Sequence, residues 1–167
     1  MRRFHYSANT NATPAEIWGM WTDVENWNTW DAHIEYAHLA GPFQEGQLGR
    51  IKLVGLKEID FYLSDVRDKK SFTINYVLPL KTRMESWHTL LEKNDLQEFT
   101  HGVRIEGPLS WVFVFAVVRK IQKNMSSVLE NVKKKLEGSG YVPTEGKKEK
   151  NTPLPPVEDQ VGVKYSK

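Results

Sequence analysis

Two histidines are the residues of this sequence best suited to proton chemistry. His101 falls between Phe99 and Val103 in an alternating segment, which places it on the apolar face of a predicted strand. His88 lies in the segment SWHTLL, where the alternation allows either His88 or Trp87 to face inward. An inward imidazole could exchange a proton with a substrate or hold a ligand carbonyl. A core histidine without chemistry is the simpler interpretation of each.

Other polar side chains could join such a site. Tyr76 lies on the apolar face of its predicted strand and carries a phenolic donor, and Tyr62 is a weaker candidate. Arg50 or Glu85 would mark a carboxylate or carbonyl site if it faced inward, but burial of an unpaired charge is costly. The simpler interpretation therefore places both charges on a solvated outer face. Catalytic residues stay unassigned, with the two histidines above as candidates.

Metal chemistry has little support in the sequence. The chain contains no cysteine, which excludes disulfides, thiolate metal ligands and a cysteine nucleophile. His33 and His38 are five residues apart on one predicted strand, so their side chains face opposite ways. We therefore predict neither a metal site nor a cofactor.

Aromatic residues are concentrated near the start of the chain. The segment NATPAEIWGMWTDVENWNTW holds four of the six tryptophans: Trp18, Trp21, Trp27 and Trp30. The first two share one face of a predicted helix, where large aromatic side chains fill a core. The last two follow in a segment that needs them less for packing. We predict that these two, together with Trp21, wall a pocket.

The sequence before and between these tryptophans predicts two short helices. Thr13 is the expected N-cap, Pro14 occupies the first helical position, and Glu16 completes a capping box. This helix is predicted to end near Trp21. Asp23 is then expected to cap a second short helical turn.

Strands fill most of the remaining sequence up to Gly107. A first strand is predicted over residues 2–9. Six more, separated by turn residues, are predicted over residues 33–39, 48–54, 58–66, 71–78, 83–92 and 97–107. One apolar and one polar face per strand indicate an antiparallel sheet wetted on one side.

A long helix is predicted from Ser110 to the stop at Gly138. Its apolar stripe recurs every three or four residues: Val114, Val118, Ile121, Met125, Val128, Val132 and Leu136. Only this helix is large enough to cover the sheet, so the fold class is α+β, with a curved sheet of about seven strands wrapped around a C-terminal helix. The domain spans residues 1–137, and the Gly-, Pro- and Lys-rich residues 138–167 are predicted to be a disordered tail.

Four segments carry a family resemblance: ATPAEIWGMWTDVENWNTWD, EGQLGRIKL, LPLKTRMESWHTLLEK and THGVRIEGPLSWVF. Together they resemble the polyketide cyclase/dehydrase-like branch of the START-related (SRPBCC) superfamily over nearly residues 4–137. The resemblance implies a helix-grip fold, START/Bet v 1-like, with a deep, largely apolar cavity for a small hydrophobic molecule. It implies no particular reaction, because members include cyclases, lipid carriers, hormone receptors and co-chaperones.

The leading functional hypothesis is binding or carriage of a small hydrophobic or amphipathic molecule, lipid- or polyketide-like. The predicted ligand-binding residues are Trp21, Trp27, Trp30, Phe61, Tyr76, His88, His101, Val114, Val118 and Met125. One alternative is a cyclase/dehydratase-type enzyme in which a cavity histidine moves a proton while Tyr76 or Arg50 steadies an enolate oxygen. A second is a co-chaperone-like interaction module that uses residues 111–118 or the tail.

Charge and hydropathy limit the partners. A net charge of +2 is close to neutral and gives no support for a nucleic-acid partner, which would require a clustered basic face, so none is predicted. The longest apolar run, WVFVFAVV, is far shorter than the roughly 20 residues that span a bilayer. No apolar stretch follows MRRF as a signal peptide requires, and we expect a cytoplasmic protein. Peripheral membrane contact and the oligomeric state stay open.

Overall fold

Seven strands form a single curved antiparallel sheet in the computed structural model, which describes residues 2–113 and 130–138. The strands are β1 (Arg2–Thr10), β2 (Ile34–Leu39), β3 (Leu48–Leu53), β4 (Glu58–Arg67), β5 (Ser71–Val77), β6 (Arg83–Lys93) and β7 (Leu96–Glu106). Their order across the sheet is β1-β7-β6-β5-β4-β3-β2. The predicted α+β class and its seven antiparallel strands are confirmed.

Helical segments flank this sheet in the chain. They are α1 (Pro14–Thr22), a 3₁₀ helix (Val24–Thr29), α2 (Ser110–Phe113) and residues 130–138. The predicted stripe positions Val114, Val118 and Met125 lie outside the described residues, as do residues 139–167 of the predicted tail. The division into a domain and a tail therefore stays a prediction.

The start of α1 follows the predicted capping box. The Thr13 hydroxyl accepts the Glu16 backbone N–H at 3.2 Å, and the Glu16 carboxylate accepts the Thr13 backbone N–H at 2.8 Å. Two backbone donors that a helix start leaves without partners are thus satisfied. Asp23 does not cap the 3₁₀ helix with its side chain as predicted, because its carboxylate accepts the side-chain amide of Asn26 at 2.9 Å.

The core lies on the inner face of the sheet, under α1 and the 3₁₀ helix. Ile17, Met20 and Trp21 of α1 pack there with inward residues of the strands. Val132 and Leu136 of the helical segment 130–138 belong to the same core and are buried, as the predicted stripe requires. Burial of this apolar face supplies the main favourable term in folding.

Pairing between β6 and β7 decides which face of β6 points inward. His88 lies directly opposite His101 and both are buried, whereas Trp87 lies opposite Gly102 on the outer face. Trp87 packs against Gly102, where an added Cβ would lie 2.0 Å from the indole ring. The Arg3 guanidinium lies 4.5 Å from the centre of the same ring, within cation–π range.

Charged residues on the strands pair with one another on the outer face. Arg50 Nε donates to the Asp60 carboxylate at 3.0 Å, and Arg104 donates to the Glu85 carboxylate. The alternative in which Arg50 or Glu85 enters the interior is therefore wrong, since both satisfy their charge outside. Tyr62 is also on the outer face and is exposed.

Candidate functional site

A pocket of about 70 Å³ lies between the inner face of the sheet and the segment that follows α1. Much of its wall is apolar and comes from β2, β3, β5 and β6, together with Trp27 and Trp30. Its polar wall residues are Asp31, His33, Tyr76, Ser86, His88 and His101. Tyr76, Ser86, His88 and His101 meet because alternate side chains of the adjacent strands β5, β6 and β7 share one face, and Asp31 and His33 come from the turn before β2.

The two imidazoles face each other across the β6–β7 pair. Their ring centroids are 4.2 Å apart at an interplanar angle of 71°, and the residues are only 7% and 6% exposed. Phe72 stacks on His88 at 4.2 Å, nearly parallel to it. Trp21 lies 5.6 Å from His88 and 5.8 Å from His101, and Trp30 lies 5.9 Å from His101. Aromatic packing thus holds both imidazoles in fixed orientations.

Four buried polar atoms in this cluster have no hydrogen-bond partner among the residues that the structure describes. They are Trp21 Nε1, Trp30 Nε1, His88 Nδ1 and His101 Nε2. An unsatisfied buried group costs about 1–3 kcal/mol, and folded proteins tolerate few of them. The nearby Trp27 shows the ordinary outcome, because its indole N–H donates to the Trp21 carbonyl at 2.9 Å. The cluster has unused hydrogen-bonding capacity beside the pocket.

Burial keeps both imidazoles uncharged at neutral pH. It lowers the pKa of His101 to about 4, although the nearby Asp31 carboxylate acts in the opposite direction. The pKa of His88 is lowered well below its ordinary value, first by burial and then by His101. A neutral imidazole offers one donor and one acceptor. Such a pair suits hydrogen bonding to a ligand better than proton transfer near pH 7, where a base with so low a pKa is weak.

Tyr76 and Asp31 complete the polar wall. Burial, the largest cause, raises the pKa of Tyr76 to about 12, so its phenol keeps the proton and can donate. Its oxygen lies 3.3 Å from Ser86 Oγ. The Asp31 carboxylate accepts the backbone N–H of His33 at 2.9 Å and lies 2.9 Å from His33 Nδ1. This carboxylate gives one side of the pocket a negative character.

The structure distributes the predicted ligand-binding residues over three locations. Five line the pocket: Trp27, Trp30, Tyr76, His88 and His101. Trp21 and Phe61 do not line it as predicted, because they lie fully buried behind its wall, with Phe61 stacked on Trp27 at 6.1 Å. Val114, Val118 and Met125 lie outside the described residues.

Sequence reasoning missed three polar wall residues. Ser86 shares a face with His88, so it would have been found once the inward face of β6 was known. Asp31 and His33 lie in the turn before β2, where no periodic pattern shows the direction of a side chain. His33 was considered only as a metal ligand paired with His38. The latter is exposed, with its ring Nδ1 2.7 Å from the Glu25 carboxylate.

Two negative findings apply to the described part of the chain. Within residues 2–113 and 130–138, no group of three or more His, Cys, Asp or Glu side chains is placed to hold a metal ion. Over the same residues, no helix has the length and apolar character needed to cross a lipid bilayer.

Comparison with known proteins identifies the family and the fold of the chain. A family model described as polyketide cyclase / dehydrase and lipid transport matches residues 1–137. A search of curated proteins finds no match.

Solved structures show the same curved sheet at low sequence identity. The Aha1 dimer from Colwellia psychrerythraea superposes with a TM-score of 0.62 at 13% identity, covering 83% of this chain and 98% of that one. The protein TTHA0849 from Thermus thermophilus gives 0.64 at 12% identity, with coverage of 84% and 100%. Norcoclaurine synthase from Thalictrum flavum gives 0.61 at 12% identity, with coverage of 82% and 87%. These similarities establish the helix-grip fold of the START/Bet v 1-like type.

Proposed function

The chain belongs to the polyketide cyclase / dehydrase and lipid transport family, and from that premise we propose that its pocket binds the polar end of a small hydrophobic or amphipathic molecule, lipid- or polyketide-like. One observation carries the proposal. His88 and His101 are neutral, rigidly packed and 4.2 Å apart in a mostly apolar wall, and each leaves a buried ring nitrogen without a partner in the described structure. A ligand that supplies the missing hydrogen bonds would remove an energetic cost already present in the folded chain.

The size of the pocket restricts what it holds. A volume of about 70 Å³ corresponds to roughly five water-sized spheres, whereas sites for drug-sized ligands usually exceed about 300 Å³. The space fits a carbonyl or hydroxyl group with a short apolar neighbour, and the rest of a longer molecule would have to extend beyond the pocket. We therefore assign the pocket to the polar end of the ligand.

The charge of the wall favours an uncharged ligand group. Asp31 would repel a carboxylate, and the two histidines stay neutral at pH 7 and cannot offset that repulsion. The indole N–H of Trp30 and the phenol of Tyr76 are donors that suit a carbonyl or hydroxyl oxygen. A ketone, aldehyde or hydroxyl is the group that this wall accommodates best.

A matched pair of probes tests the polar anchor. Acetophenone and ethylbenzene have similar shapes, but only the first carries a carbonyl. We expect acetophenone to raise the melting temperature more than ethylbenzene at equal concentration, because ligand binding to the native state stabilises it. His101→Leu and Trp30→Phe should reduce that difference, whereas His38→Gln, an exposed control, should preserve it.

The two ways of failing are distinguishable in this experiment. If neither compound changes the melting temperature, the pocket does not bind small hydrophobic molecules and the proposed function is wrong. If both stabilise the protein equally, the pocket binds apolar groups but the polar anchor is wrong. For every variant, a heat-capacity change across the thermal unfolding transition shows that the variant was folded before melting.

An enzymatic role is the second candidate, supported by the family description and by the fold similarity to norcoclaurine synthase. It requires His88 or His101 to abstract a proton beside a carbonyl while Tyr76 steadies the enolate oxygen, since Arg50 lies outside. Exchange of the acetophenone methyl protons for deuterium, followed by NMR in heavy water, measures this step. Exchange no faster than in buffer would dismiss the mechanism.

Two further hypotheses stay predictions from the sequence. The interaction module was expected to use residues 111–118, of which the structure describes 111–113 only. A cytoplasmic location also stays a prediction.

A further inference from the structure

One end of the sheet, where β5 finishes and β6 begins, carries exposed apolar side chains. Leu80 in the β5–β6 turn and Trp111 in α2 are each 68% exposed, and Val77 at the end of β5 is 48% exposed. Val54, which follows β3, is 58% exposed. We call these four residues the apolar end.

Strand direction and hydrogen bonds place the four residues together. β3 and β5 are both antiparallel to β4, so Val54 and Val77 finish their strands at the same edge. The start of α2 is tied to the β5–β6 turn, because the Leu109 backbone N–H donates to the Thr82 hydroxyl at 3.2 Å. The four residues of the apolar end therefore lie at the same end of the sheet.

Leu80 lies in a turn whose backbone conformation has an energetic cost. Leu80 and Lys81 have φ values of 54° and 55°, in the left-handed region that residues with a Cβ rarely adopt. Strained backbone of this kind persists where the surrounding structure imposes it, and it is concentrated at functional sites. An exposed apolar side chain in such a turn points to a contact with another surface.

Exposed cations lie at the same end as these apolar residues. Lys57, Lys81 and Arg83 are exposed at the same end, and no ion pair joins them to any residue within 2–113 or 130–138. The nearby Glu58 lies 3.6 Å from the Arg50 guanidinium, and Glu106 faces Arg83 across the β6–β7 pair. Lys57 and Lys81 are therefore exposed cations of this end that form no ion pair with an acid within the described residues.

We propose that the apolar end is a docking surface for an anionic lipid bilayer. Tryptophan and leucine side chains insert at the boundary between headgroups and acyl chains, and lysine and arginine are attracted to anionic headgroups. Leu53, Tyr76 and Met84 of the pocket wall lie on strands that start or finish at this end, so the pocket would face the membrane. Docking is independent of the proposed ligand function, since it requires no occupant of the pocket.

Vesicle sedimentation tests the proposal with the full chain. Vesicles of equal parts phosphatidylcholine and phosphatidylserine should carry the protein into the pellet, and phosphatidylcholine vesicles should do so much less. We expect Leu80→Glu to weaken the apparent affinity roughly tenfold or more, because it removes apolar burial and adds a like charge. Lys57→Ala and Lys81→Ala should each weaken it roughly fivefold, and added salt should weaken binding of the unaltered protein.

Leu91→Glu is the matched control, because Leu91 is 60% exposed on β6 near the opposite end of the sheet. It should leave vesicle binding unchanged, and far-UV circular dichroism of each variant verifies the fold. The proposal is overturned if the unaltered protein stays in the supernatant with anionic vesicles, or if Leu91→Glu loses as much binding as Leu80→Glu. Equal binding to both lipid compositions overturns the role of the cations.

Discussion

The two faces of the β6–β7 pair treat polar side chains in opposite ways. On the outer face, Glu85 and Arg104 are cross-strand neighbours that form a hydrogen-bonded ion pair. On the inner face, His88 and His101 are also cross-strand neighbours, yet each leaves a buried nitrogen without a partner in the described structure. The same strands and the same register thus give one satisfied pair and one unsatisfied pair.

This difference indicates which of the two polar pairs is better placed to bind a ligand. The outer pair is partly exposed, so water competes with each hydrogen bond and the pair contributes little net stability. The inner pair is removed from water, where an unmet hydrogen bond costs more and a ligand's hydrogen bond gains more. The inner pair is therefore the better candidate for binding, although the outer pair carries more charge.

The largest expected effect is a loss of stability at acidic pH that comes from the two histidines of the inner face. The pKa of His101 is about 4 in the folded chain and near its ordinary 6.5 when unfolded, so the unfolded state binds more protons between these values. Above pH 6.5 His101 is uncharged in both states and does not reduce the free energy of unfolding. As the pH falls from 6.5 towards 4, protonation of His101 in the unfolded state lowers that free energy. We expect His101 to account for roughly 3 kcal/mol of this loss, with His88 acting in the same direction.

Chemical denaturation at a series of pH values measures that loss. His101→Leu removes one titrating group and should flatten the profile between pH 6.5 and 4. The exposed control His38→Gln should keep the original slope. A profile for His101→Leu as steep as that of the unaltered protein would contradict the assignment.

Gly102 connects the two faces, and its replacement should have the next largest effect. It lies opposite Trp87 on the outer side and also lines the pocket. A Cβ would lie 2.0 Å from the Trp87 ring, so the indole and its contact with Arg3 would have to move. We expect Gly102→Ala to lower the free energy of unfolding by about 3 kcal/mol, measured by urea denaturation.

Gly138→Ala is the matched control for this substitution. Gly138 is helical, and a Cβ there meets nothing within 4 Å. Stability should stay equal or rise slightly, since alanine favours a helix over glycine. Equal effects of the two glycine substitutions would show that steric contact with Trp87 is unimportant.

The smallest change is expected on the outer face. Glu85→Gln removes one charge of the pair with Arg104, whose side chain is 42% exposed. The free energy of unfolding should fall by no more than about 0.5 kcal/mol, because exposed ion pairs contribute little. Thermal denaturation in low and high salt measures this effect. A fall in the free energy of unfolding several times larger would show that the outer pair contributes as much to stability as the inner face.

Local patterns in the sequence predicted most of the elements. The capping box at Thr13 and Glu16 is formed as expected, and each predicted strand lies within two residues of an observed one. Period-two alternation and turn residues depend on nearby residues only, so they are visible without a tertiary structure. The Asp23 cap failed because Asn26 competes for its carboxylate, a choice that spacing does not reveal.

The candidate site was predicted only in part. His101 was recognisable because its neighbours Phe99 and Val103 are apolar and alternate with polar residues. His88 was ambiguous because both faces of its strand contain apolar residues. Asp31 and His33 come from a turn, and whether each imidazole nitrogen finds a partner depends on neighbours distant in sequence.

The sequence by itself determined the kinds and order of the elements, because capping, turn chemistry and alternation are properties of short segments. Tertiary structure decided which face of β6 points inward, since only pairing with β7 sets His88 opposite His101 and Trp87 opposite Gly102. It also decided which polar groups are satisfied. The outer charges meet partners on adjacent strands, whereas each inner imidazole packs against aromatic rings and leaves one ring nitrogen without a partner among the residues that the structure describes.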